Sequence, residues 1–287
     1  MTLCIAALCS IDGVAAATHA VVSCDSRIET DSVGADLYFK IQPLTDRWSV
    51  LFAGEEDEHN ELIAEYRKTL KKQEDTLNES NARTILIGPA NIVRERRAES
   101  VTQKHLAMDY KCFLANGKQY LPDDIHKQLL NEIMRQEIGA DLLLVGPIGE
   151  EMAVFRYDGE EHRISRVYDF AAIGSGYQSA EPVFFQRSHD QFERLPRTIY
   201  VVYEAQKAGQ SAPGVGQDMT LIVIDGQGGW QQVSWKGLDR LAALYEHHFG
   251  PRDLYESQTS GSQALDLTAS FFPDDFFNAD DSEGQDA

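Results

Sequence analysis

The pattern of apolar and polar positions changes period several times along the chain. Leu3 to Cys9 is an unbroken run of small apolar residues, and His19 to Cys24 is a β-branched run bounded by polar ones. Both read as strands, with Asp12-Gly13 as the turn between them. Strand signals follow at Tyr38 to Ile41 and at Trp48 to Ala53, the latter closed by Gly54. From Glu58 to Lys72 the period becomes helical, with Leu62, Ile63, Tyr66 and Leu70 on one face. Residues 75 to 120 carry no single period, and no element is assigned to them. Pro122 opens a helix with Ile125, Leu129, Leu130, Ile133 and Met134 on one stripe, expected to end near Gly139.

A second strand-rich block runs from Asp141 through Gly146, Met152 to Tyr157, Arg163 to Tyr168 and Phe170 to Ile173, with Asp158-Gly159 as a hairpin signal. Gly174-Ser175-Gly176 breaks it. Helical spacing returns at Ala180 to Gln186 and Arg194 to Ala208, strands at Met219 to Ile224 and Trp230 to Trp235, and a last helix at Leu238 to His248 before Gly250-Pro251. Blocks of strands and blocks of helices, rather than strict βαβ alternation, predict an α+β sandwich of two sheets. No glycine-rich phosphate loop follows any strand, so nothing supports nucleotide binding.

This organisation divides the chain into a folded unit, residues 1–250, and an acidic tail, residues 251–287, whose Ser, Gln, Gly and Asp content reads as disordered. Phe271-Phe272 and Phe276-Phe277 interrupt the tail, either as anchors that dock on another surface or as apolar residues in a loose segment.

Charge narrows the partners. The formal net charge is −20, which repels nucleic acid and anionic membrane surfaces. The most basic stretch, Arg94 to Arg97, includes Glu95 and reads as a solvated helix face. No apolar run is long enough to span a bilayer, no positive region precedes the first apolar stretch, and the expected location is cytoplasmic. The cysteines Cys4, Cys9, Cys24 and Cys112 form no C-x-x-C pair, and no histidine cluster has ligand spacing. No metal and no cofactor are expected.

Four features carry candidate chemistry. Thr2 follows the initiator Met1, and trimming of Met1 leaves a free α-amine beside a hydroxyl; such an amine titrates near about 8 and can act as base for its own side chain. Val21 to Arg27 is an apolar strand ending Asp25-Ser26-Arg27. Tyr38-Phe39-Lys40-Ile41 sets a lysine in an apolar run, where it needs a partner, with Asp25 as the candidate; the alternative is an exposed face of a half-buried strand. Leu51-Phe52-Ala53-Gly54 ends a strand on a glycine, where an N–H can serve an oxyanion.

Taken together, these motifs resemble a proteasome β-type subunit of the N-terminal-nucleophile (Ntn) hydrolases. Ile173-Gly174-Ser175-Gly176 resembles the family's Gly-Ser-Gly, and Pro213 to Met219 resembles its Ser-Gly-Gly-x-x-Asp stretch. The resemblance spans roughly residues 2–235. It implies a four-layer αββα sandwich, with Thr2 as nucleophile, Asp25 and Lys40 as its charge pair, Ser175 as a proton relay beside the α-amine, and Gly54 as oxyanion donor. It also places Phe52 and Ile28 in the first specificity pocket, which implies an apolar P1 side chain. The implied activity is a threonine-type peptidase acting on peptides or unfolded proteins within a homo-oligomeric ring, with any unfoldase partner unidentified.

The chain departs from the family in three ways. The Thr2–Asp25 interval is longer, the segment 75–145 is longer and reads as a lineage-specific contact surface, and Gln210 and Pro213 stand where the family has Asp and Ser. Two alternatives stay open: a weakly active or inactive scaffold subunit on the same fold, and an Ntn amidohydrolase of small-molecule amides.

Overall fold

The structure is a computed structural model and describes residues 2–11, 16–25, 28–29, 34–35, 40–54, 56–136, 138–249 and 275–277. In chain order the elements are β1 (Cys4–Cys9), β2 (His19–Asp25), a short ribbon of β3 (Ile28–Glu29) and β4 (Gly34–Ala35), β5 (Ile41–Pro43) and β6 (Ser49–Gly54). Four helices follow: α1 (Glu56–Gln73), α2 (Ala82–Leu106), α3 (Tyr110–Tyr120) and α4 (Asp123–Met134). Then come β7 (Ala140–Ile148), β8 (Glu151–Asp158), β9 (Arg163–Val167), β10 (Phe170–Ile173), α5 (Tyr177–Gln186), α6 (Leu195–Gly209), β11 (Met219–Asp225), β12 (Trp230–Gln232) and α7 (Trp235–Phe249). The described chain is α+β, with two five-stranded antiparallel sheets ordered β10-β1-β2-β11-β12 and β5-β6-β7-β8-β9.

The unbroken apolar runs in the strands have a physical cause, because the central strands of both sheets, β1, β2, β6 and β7 among them, are buried on two faces. Cys4, Ala6 and Leu8 of β1, with Ala20, Val22 and Cys24 of β2, pack against Leu51 and Ala53 of β6 and Leu143 and Val145 of β7 in one apolar core between the sheets. The alternate residues Leu3, Ile5, Ala7 and Cys9 face the other way, toward α5, α6 and α7. On the second sheet Val50, Phe52, Leu142, Leu144, Phe155 and Tyr157 pack on α1 and α2. Neither face of these strands meets water, so the period-2 polar positions of a half-exposed strand are absent.

Residues 75 to 120 resolve into α2 and α3, which sequence periodicity left unassigned. The inward face of α2 is built largely from Ala82, Leu86, Ala90 and Val93, with Pro89 inside the helix. Alanine and proline carry a weak hydrophobic signal at the positions that matter. Asp109 caps α3 by accepting from the amide of Cys112 at 2.7 Å. Ala98 and Val101 of α2, Phe113 of α3, and Leu129 and Ile133 of α4 form a separate small core.

Several expected boundaries are corrected. The helix opened at Pro122 stops at Met134 rather than near Gly139, and two residues of its apolar stripe, Ile125 and Met134, are exposed at 42% and 74%. Trp235 begins α7 instead of ending a strand, and β9 stops at Val167. The strand expected from Tyr38 is described from Ile41 onward; Tyr38, Phe39 and the Asp12-Gly13 turn lie outside the described residues. The Arg94–Arg97 stretch is more than a solvated face. Arg96 reaches Glu61 and Glu65, and Arg97 reaches Glu58, tying α2 to α1.

Of the tail, only residues 275–277 are described, and they dock on the body. Phe276 is fully buried with α6 and α7, and Phe277 bridges to Val233. The Asp275 carboxylate meets Arg240 at 3.0 Å and Lys236 at 3.3 Å. Phe276 and Phe277 are therefore anchors, and the surface they dock on belongs to their own chain; Phe271 and Phe272 lie outside the described residues. Among the described residues no helix is long and apolar enough to cross a membrane.

Candidate active site

The site forms where the ends of β1, β2, β6 and β10 meet. β2 carries Asp25 as its last residue, fully buried, and Lys40 lies just before β5 at 4% exposure. The Lys40 ammonium donates to Asp25 Oδ1 at 2.9 Å. The same oxygen accepts from the amide of Leu3 at 2.8 Å, and Oδ2 accepts from the amide of Gly216 at 3.0 Å. Both carboxylate oxygens are thus satisfied, as a buried charge requires. The Asp25 amide in turn donates to the carbonyl of Leu3 at 3.1 Å.

Leu3 is the residue after Thr2, so this double link fixes the chain next to the candidate nucleophile. On the opposite side, Ser175 directs its hydroxyl at the carbonyl of Thr2 at 3.4 Å. Gly174 has φ +88°, and a Cβ there would lie 2.2 Å from the Thr2 carbonyl oxygen. Only glycine lets these two backbones come so close. Gly54, with φ +119°, makes a similar approach to the carbonyl of Gly139, where a Cβ would sit 2.1 Å away.

A cavity of about 620 Å³ opens beside these residues. Thr2, Gly54, Gly174 and Ser175 line it, together with Gly139, Asp141, Arg156, Asp158, Glu160 and Tyr177 among others. Thr2, Gly54 and Ser175 therefore share one cavity, which Asp25 and Lys40 do not line. The Lys40 ammonium hydrogen-bonds Asp25 and makes no hydrogen bond to the Thr2 hydroxyl among the described residues.

Of the two residues expected in a specificity pocket, one is placed by its side chain. Phe52 is on the helix-facing side of β6, stacked on His59 of α1 with ring centroids 4.1 Å apart, and does not line the cavity. The backbone of Ile28 pairs with Ala35 in the short ribbon; its side chain lies outside the described residues.

The nearby thiols of Cys4 and Cys24 are buried, and burial favours their protonated form. Burial, with Asp25 adding to it, pushes the Cys24 thiol from 9.0 up to about 12. Burial, with neighbouring Cys24 and Asp25 adding to it, holds Cys4 well above its ordinary value. Among the described residues no group of His, Cys, Asp and Glu is arranged to hold a metal ion.

Sequence reading missed three groups. The amides of Leu3 and Gly216 act through the backbone, which leaves no side-chain signal. The charged cavity wall of Asp141, Arg156, Asp158 and Glu160 comes from β7, β8 and the turn after β8, where such residues look like ordinary solvent-facing positions. No protein-family model matches the chain, and no curated protein sequence matches it. The site rests on its own geometry.

Proposed function

We propose that the chain is an Ntn hydrolase of the proteasome type, a threonine peptidase or amidohydrolase built as a four-layer αββα sandwich. One observation carries the reading: Thr2, Gly54 and Ser175 share a cavity, and a buried Lys40–Asp25 pair is tied through Leu3 to the chain beside Thr2. In this reading Met1 is removed, and the freed α-amine of Thr2 takes the proton of its own hydroxyl as Oγ1 attacks the amide carbon. The amide of Gly54 stabilises the oxyanion, and Lys40 lowers the cost of developing negative charge on Oγ1. Ser175 relays the proton to the leaving amine. The amine departs, leaving an ester on Thr2, and water then hydrolyses that ester. The enzyme works as a homo-oligomeric ring on peptides or unfolded chains.

The test is covalent. Intact mass shows whether Met1 is absent, and a peptide epoxyketone, which bonds to both the hydroxyl and the free amine of one residue, labels Thr2. One adduct per chain, absent in Thr2→Ala, is the expected result. A retained Met1, or an unlabelled protein that is folded, overturns the reading. Native mass reports the ring.

A second reading, an inactive scaffold on the same fold, has its own observation. Gln210 stands where the family has an acid. It donates from Nε2 to the carbonyl of Gln217 at 2.6 Å, while Gln217 Nε2 donates back to the carbonyl of Gln210 at 3.2 Å. Gln210 is thereby held by Gln217 instead of serving Thr2. The labelling experiment decides between the two readings.

A further inference from the structure

Four side chains that line the cavity beside Thr2 carry charge, and three of them are carboxylates. Asp141 comes from β7, Arg156 and Asp158 from β8, and Glu160 from the turn that follows. The single guanidinium is outnumbered by the carboxylates, and its nearest approach to one of them is Arg156 Nη2 at 3.9 Å from Asp158 Oδ2. Asp141 Oδ1 accepts from the amide of Gly159 at 3.1 Å, which fixes the carboxylate at the wall. Among the described residues no cation pairs with Asp141 or Glu160. With three carboxylates against one guanidinium, the lining beside Thr2 carries a net negative charge.

The rest of the molecule acts in the same direction. The chain as a whole carries a net charge of −20, which at low salt favours the approach of cationic ligands over anionic ones. Short-range lining and long-range field select the same sign.

We propose that the substrate group seated in this cavity is cationic: an amide whose side chain next to the scissile bond bears an amine or guanidinium, held by Asp141, Asp158 and Glu160. The proposal rests on the reading of Thr2 as nucleophile and gives that site its substrate class. It differs from the apolar preference that the family resemblance implies, since Phe52 lies outside this cavity.

Binding tests the proposal independently of catalysis. Calorimetry on the full-length Thr2→Ala protein compares three peptide amides that differ at one side chain, Lys, norleucine or Glu. The residue is placed on either side of the amide in two parallel sets. The lysine peptide binds tightest and the glutamate peptide weakest, and the spread shrinks as salt is raised. Glu160→Gln, at an exposed position, and Asp141→Asn, which keeps the oxygen that accepts from Gly159, each lower the ratio of lysine to norleucine affinity about two- to fivefold, the range of a partly exposed pair. Equal binding of the lysine and norleucine peptides in both sets, or preference for glutamate, overturns the proposal even if the epoxyketone labels Thr2. A lysine preference in a protein whose Thr2 does not label keeps the cationic site and removes only the nucleophile.

Discussion

Leu3 and Asp25 hold each other twice: the amide of Leu3 donates to the Asp25 carboxylate at 2.8 Å, and the amide of Asp25 donates to the Leu3 carbonyl at 3.1 Å. One residue thus sets the backbone beside Thr2 and neutralises Lys40. Asp25→Asn removes the charge and turns an amide nitrogen toward one of its three donors, leaving a buried ammonium unpaired. The expected loss is about 3–5 kcal/mol in urea unfolding. Adding Lys40→Met restores most of that stability, because a buried ion pair is replaced by neutral groups of similar size. Epoxyketone labelling of Thr2 stays absent in both proteins. Labelling that returns with stability in the double variant would show that the pair serves the fold alone.

Gly174 offers a sharper probe of the approach to Thr2. Gly174→Ala sets a Cβ 2.2 Å from the Thr2 carbonyl at φ +88°, so Thr2 must move. Gly149→Ala is the control, since Gly149 also has a positive φ, +63°, but has nothing within 4 Å of the added Cβ. The control costs about 1–2 kcal/mol from left-handed backbone alone. Gly174→Ala costs more and slows Thr2 labelling at least tenfold, whereas Gly149→Ala labels at the parental rate. Equal labelling rates in the two variants would detach Gly174 from the site.

How much the sequence disclosed follows from what each residue's signal is made of. β1, β2 and β6 were legible because burial on both faces makes continuous apolar runs. The partnership of Asp25 with Lys40 was legible because a lysine inside such a run requires a counter-charge. The helix α2 was not, since its inward face is Ala82, Leu86, Pro89 and Ala90, and small residues pack closely without raising the periodic signal. Ile125 and Met134 misled in the opposite sense, being apolar at helical spacing yet exposed. The cavity wall stayed hidden because Asp141, Asp158 and Glu160 gain their meaning only when the β7–β8 pairing brings them beside Thr2.

His189 makes the fold sensitive to acid. It is buried, its Nε2 lies 3.1 Å from the carbonyl of Leu8, and its Nδ1 has no hydrogen-bond partner among the described residues. Burial lowers its pKa below 6.5, against the opposing pull of the Leu8 carbonyl, Glu193, Asp169 and Asp190. The unfolded chain therefore takes up the proton first. The stabilisation is complete above about pH 6.5 and is lost as pH falls toward the lower folded value. The slope from this group reaches at most about 1.4 kcal/mol per pH unit. His189→Gln, which keeps a donor for Leu8, flattens the stability profile below about pH 6.5 relative to the parent. Parallel profiles in chemical denaturation would assign the acid sensitivity elsewhere.

The end of the chain contributes to the stability of the body. Phe276 is fully buried among Tyr203, Val233 and Leu241 of the helix-facing core. The amide of Ser234 donates to the Phe276 carbonyl at 2.8 Å, and the Ser234 hydroxyl donates to the carbonyl of Asp275 at 2.6 Å. Phe276→Ala opens a cavity beneath α7 and costs about 3–5 kcal/mol in urea unfolding. Truncation after residue 249 removes the anchor as well as the segment leading to it, and costs at least as much. An acidic extension without a docked anchor would be removable with no effect. A truncated chain that unfolds at the parental urea concentration would therefore place Phe276 outside the folding unit, while a midpoint shift matching Phe276→Ala locates the contribution of the tail in that single ring.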